Sequence, residues 1–122
     1  MIQDVLPPDD LQPAHFGAKD QQLKQELESA VRKLFYETCD GVVQSLLTNC
    51  VWSFAIAAPT LTLVVNCPEM DMNLRVLRHI ATIGVYLERF TPNARVCVCP
   101  PEGEGDPITL RIDEISIYQD LL

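Results

Sequence analysis

The chain has 122 residues, 48% of them hydrophobic, and its 17 Asp and Glu against 9 Lys and Arg leave a formal net charge of −8. That describes one domain: too hydrophobic to be wholly disordered, too short for a two-domain enzyme, and large enough to bury roughly two-thirds of its unfolded surface. The acidity weighs against nucleic acid, whose binding needs cationic side chains to displace counterions, and against an anionic membrane surface. No run approaches the ~18 apolar residues of a membrane span, and Asp4, Asp9 and Asp10 stand where a signal peptide would be positive. Five cysteines, an odd number without framework spacing, fit a reducing cytoplasmic compartment.

In chain order, residues 1–17 hold Pro7, Pro8 and Pro13 with three acids and read as a disordered or extended acidic arm. From Lys19 the pattern turns helical, with Leu23, Leu27, Val31, Leu34, Phe35 and Thr38 on one stripe and Lys24, Glu28 and Arg32 on the other side. Glu28 and Arg32 have the favourable order for a pair at four-residue spacing. Asp40-Gly41 interrupts this helix, and Val42, Val43, Leu46 and Leu47 resume the pattern to about Asn49.

The period then changes to two. Trp52, Phe54 and Ile56 share one face, Pro59 and Thr60 turn the chain, and Leu61, Leu63, Val65 and Cys67 face inward on a second strand. A third helix follows with Asp71 as N-cap and a stripe of Leu74, Leu77, Ile80, Ala81, Gly84, Leu87 and Phe90. Its second half is apolar almost all round, since Ile83, Val85 and Tyr86 lie off the stripe, which points to a partner or to cover on two sides. Gly84 costs about 1 kcal/mol of helix propensity against Ala, which suits close approach to the sheet. Arg95 to Cys99 is a third strand, Pro100 to Pro107 an acidic loop, and Ile108, Leu110 and Ile112 mark a fourth strand. The domain is therefore 18–113, with an acidic and apolar tail at 114–122. The order α-α-β-β-α-β-β predicts an α+β two-layer sandwich, with helices on one face of a small mixed or antiparallel sheet.

Candidate sites are few. Cys97 and Cys99 share one face of a strand beside Arg95, a cation that would lower a thiol pKa and so allow a thiol enzyme or redox switch. Zinc would need a second ligand pair that neither His15 nor His79 supplies in sequence, so no metal is assigned, and no cofactor. Cys39, Cys50 and Cys67 read as core filler. Gly103-Glu104-Gly105-Asp106 lacks the third glycine, the Lys and the helix of a phosphate loop. Arg75, Arg78 and Arg89, with His79, form the basic patch of an otherwise acidic chain.

The run from Thr60 to Pro68, the helix after it and Arg95-Val-Cys-Val-Cys together resemble the amino-terminal domain of bacterial replication initiators of the DnaA type. The likeness covers about two-thirds of the chain and rests on pattern, without a signature motif. It implies a KH-like fold that makes protein contacts and self-associates. No G-x-x-G clamp of the nucleotide-binding KH modules is present. The expectation is a small cytoplasmic protein-interaction or regulatory module without catalysis, partnered by another protein or by itself. Its contact residues are Ile83, Val85 and Tyr86, Arg75, Arg78 and Arg89, and Tyr118, Leu121 and Leu122. The alternative is a KH-like nucleic-acid-binding domain using Arg75, Arg78, Arg89 and Arg95.

Overall fold

The alternating runs of the sequence become a four-stranded sheet in the order β1-β2-β3-β4, with β1 at Val51–Ala57, β2 at Thr60–Asn66, β3 at Ala94–Cys99 and β4 at Ile108–Arg111. A computed structural model describes residues 13–57 and 59–115, with side chains from residue 19 onward. β1 and β2 are antiparallel, with Phe54 opposite Leu63; β2 and β3 are parallel, with Val64 opposite Cys97; β3 and β4 are antiparallel, with Val96 opposite Leu110. The sheet is thus mixed, and the parallel pair requires a crossover, which the helices after β2 provide. Trp52, Phe54, Leu61, Leu63, Val65, Val96 and Val98 face a core covered by helices. The fold class is α+β.

Helix α1 runs from Pro13 to Thr38 and α2 from Gly41 to Thr48. The helical backbone at 13–17 overlaps the segment assigned from sequence to an extended arm. Asp40 ends the first helix and caps the second: its extended backbone lets Oδ1 accept from Val43 N–H at 2.9 Å.

The expected single third helix is two, α3 at Met70–Arg78 and α4 at Ile80–Glu88. His79 causes the break. Its N–H bonds the Val76 carbonyl at 3.1 Å, a 3₁₀ step, while its ring Nδ1 donates to the Arg75 carbonyl at 2.9 Å, the acceptor an unbroken α-helix would give to the backbone. The N-cap is Glu69, without a side-chain cap bond, and not Asp71, which pairs instead with Arg75 at 3.3 Å. Leu74 is exposed, because the buried face of α3 runs through Met72, Asn73, Val76 and Leu77.

Gly84 makes room for a different neighbour from the one expected. A Cβ there would lie 2.7 Å from Ile115 Cδ1, so the close approach is to the segment after β4 and not to the sheet. Residues 112–115 form a helical turn that seats buried Ile115 on α4, so the start of the assigned tail belongs to the domain. Glu114 accepts from the Arg111 N–H at 3.0 Å and holds the start of that turn, as the second half of a capping box does.

Candidate functional site

The two faces of the sheet differ sharply. One carries the core; the other presents two cross-strand rows, Ser53-Val64-Cys97-Thr109, of small and mid-sized side chains, and Ala55-Thr62-Arg95-Arg111, which ends in two arginines. At one end of this open face lies a polar depression of about 320 Å³ whose lining includes Thr60, Asn93, Arg95, Arg111 and Asp113. Arg111 there is engaged by Asp113 at 3.3 Å and Glu114 at 3.5 Å. Strand register brings Arg95 beside Arg111, a pairing invisible in sequence because the acidic loop separates them.

The four arginines of the nucleic-acid alternative do not share a surface. Arg95 projects from the open sheet face, whereas Arg75 and Arg78 belong to α3 and Arg89 follows α4, among the helices on the core side. Arg89 places its guanidinium 5.2 Å from the Tyr86 ring centroid, and Arg75 is held by Asp71. The apolar contact residues divide too. Ile83 is fully buried in the core and presents no surface, a correction to its assignment, because α4 is covered on two sides: by the sheet and by Ile115. Val85 is exposed beside a shallow apolar depression of about 190 Å³ lined also by Ala81, Gly84, Ile112 and Ile115. Tyr86 is half-buried. Tyr118, Leu121 and Leu122 lie outside the described residues.

Cys67 and Cys99 meet at one end of the sheet, where the Cys67 N–H donates to the Cys99 carbonyl at 2.9 Å. Cys97 and Cys99 are half-buried with their sulfurs 3.7 Å apart, while Cys67 is buried, with Asn73 Nδ2 at 3.8 Å from its sulfur. Burial pushes the Cys99 thiol up to about 11, with the Cys97 and Cys67 sulfurs acting in the same direction. This is opposite to the activation that a nucleophilic cysteine needs. Burial likewise raises Cys39 to about 11 and Cys50 to about 12. Among the described residues, no group of three or more His, Cys, Asp and Glu is placed to hold a metal ion.

These raised values carry a stability consequence. The folded chain keeps protons on thiols that an unfolded chain releases near the ordinary value of 9.0, so their contribution is whole below about pH 9 and is lost as pH rises toward about 11. The Tm should fall by about 5 °C or more over that interval, and Cys50→Ala should flatten the slope. Equal slopes for the parent and the variant in thermal melts would contradict this origin.

The feature that sequence periodicity misplaced is on α1. Its apolar residues form two adjacent stripes and not one. Phe35 is fully buried and Val31 half-buried, but Leu23, Leu27 and Leu34 are 64%, 53% and 52% exposed. Every side chain from Lys19 to Leu27 is exposed, so this half of the helix runs clear of the fold's own core. Glu28 is the first to engage the sheet, accepting from the Ile56 N–H at 2.9 Å. One turn on, Arg32 Nε donates to the Trp52 carbonyl at 3.2 Å and lays its guanidinium 4.1 Å from that indole's centroid. The two charges that sequence spacing pairs with each other therefore both cover the free edge of β1. A heptad count would have separated the stripes, since 23, 27, 30 and 34 alternate steps of four and three while 31 and 35 lie on the sheet side.

No family model matches the chain, and neither a curated protein nor a solved structure is significantly similar to it. No helix among the described residues is long and apolar enough to cross a membrane.

Proposed function

We propose that this chain is a small protein-interaction or regulatory module that self-associates and performs no catalysis, acting in the cytoplasm. The observation that carries the reading is the uncovered half of α1. From Lys19 to Leu27 every side chain of α1 is exposed, and Leu23 and Leu27 present to solvent apolar surface that a partner would cover. The resemblance to the amino-terminal domain of DnaA-type initiators points the same way, toward protein contacts and self-association. The nucleic-acid alternative has less support, because its arginines are divided between two faces and partly engaged. A thiol activity has less support too, because burial holds the Cys99 proton.

Sedimentation velocity from about 1 to about 100 μM tests the reading, a range that covers weak and moderate dimers. The expected result is a sedimentation coefficient that rises with concentration toward the dimer. A strict monomer throughout overturns self-association. Titration into single-stranded RNA and DNA at two salt concentrations separates the alternative, since real phosphate binding weakens steeply with salt.

A further inference from the structure

Resting on the self-association reading, we infer that the occupant of the α1 stripe is the same stripe of a second copy, antiparallel and in one register. Leu23, Leu27, Ala30 and Leu34 are spaced by four, three and four residues, the d-a-d-a seam of a coiled coil, and all four are exposed. In an antiparallel pair, a layers meet d layers. Leu23 then packs on the second copy's Leu34 and Leu27 on its Ala30, and the reverse contacts follow from the two-fold axis.

Charge selects this orientation. Flanking the seam on the side away from the sheet are Lys19, Glu26 and Lys33, and on the near side Lys24 and Val31. Antiparallel pairing sets flank against like flank, so Glu26 meets the second copy's Lys33, twice by symmetry. Parallel pairing sets Lys19 against the second copy's Lys24 and Glu26 against its Val31, giving two repulsions by symmetry and no attraction. The position of the fold agrees. The antiparallel axis passes between Glu28 and Ser29, where α1 meets its own sheet, so each free half lies along the partner's stripe and the two bodies sit at opposite ends. Four layers make a small contact, of the weak and reversible class.

The test uses the full chain in sedimentation equilibrium, with circular dichroism to verify folding. Leu27 is exposed, so Leu27→Glu should stay folded and raise the dimer Kd by at least about tenfold. Glu26→Lys alone and Lys33→Glu alone should each raise it several-fold, while the double variant returns to the parent value because the pair is restored with its signs exchanged. Double-variant recovery is specific to this register. A dimer unaffected by Leu27→Glu overturns the seam but leaves the self-association reading standing. Loss with Leu27→Glu but no recovery in the double variant overturns the antiparallel register. A parent chain that is monomeric at every concentration overturns both.

Discussion

Phe35→Ala should cost about 3–5 kcal/mol, the usual range for emptying a buried aromatic site, and that is a large fraction of a small domain's total stability. Phe35 is fully buried at the centre of an aromatic cluster. Its ring centroid lies 5.3 Å from that of Phe54 and 6.2 Å from that of Trp52 in edge-on arrangements, and 6.0 Å from that of Phe90. The residue therefore joins α1 to β1 and to the end of α4, and its removal leaves a cavity bounded by rings that are slow to collapse into it. Trp52 is also stacked by Tyr36 at 6.2 Å, so movement of the indole would disturb the Arg32 contact as well. Urea denaturation measures the loss. Ser29→Ala, on the exposed side of the same helix, should stay within about 0.5 kcal/mol, and equal losses for the two would refute the central place of Phe35.

Ile83→Asp and Val85→Asp should behave as opposites although they lie two residues apart. Ile83 is fully buried, and a carboxylate there has to be desolvated without a partner, so the variant should lose more than about 4 kcal/mol and fail to give a cooperative melt. Val85 is 54% exposed, and its replacement should leave the melt within about 0.5 kcal/mol of the parent. Far-UV circular dichroism during heating reads both. Comparable destabilisation by the two would mean that the covered and open sides of α4 have been wrongly assigned.

Sequence reading succeeded where one pattern had one structural meaning. The alternation of Trp52 with Phe54, of Leu61, Leu63 and Val65, and of Val96 with Val98 states which side of a strand is buried, because a strand has only two. A helix has a continuum of directions, and α1 offers two apolar stripes roughly a quarter of a turn apart. Periodicity cannot say which of them the sheet covers, nor that the covering stops at Glu28. The α3–α4 break depends on where one histidine ring points, and the need for glycine at position 84 depends on Ile115, a residue remote in the chain. These are contacts between elements, and a local pattern does not encode them. The same holds for Arg95 beside Arg111, which only strand register could reveal.

Glu28 and Arg32 have a consequence for the edge of the sheet. An outer strand with free backbone groups invites addition of another strand, and then another, without end. On β1 two of those groups already bond to the chain's own helix, and the opposite outer strand, β4, is four residues long and gives way at once to the helical turn of residues 112–115, which carries Asp113 and Glu114. Ribbon-like growth is obstructed at both margins. In the pairing proposed for α1, by contrast, the contact would use itself up when two copies meet. On that proposal one helix would both guard the edge of β1 and limit association to two copies.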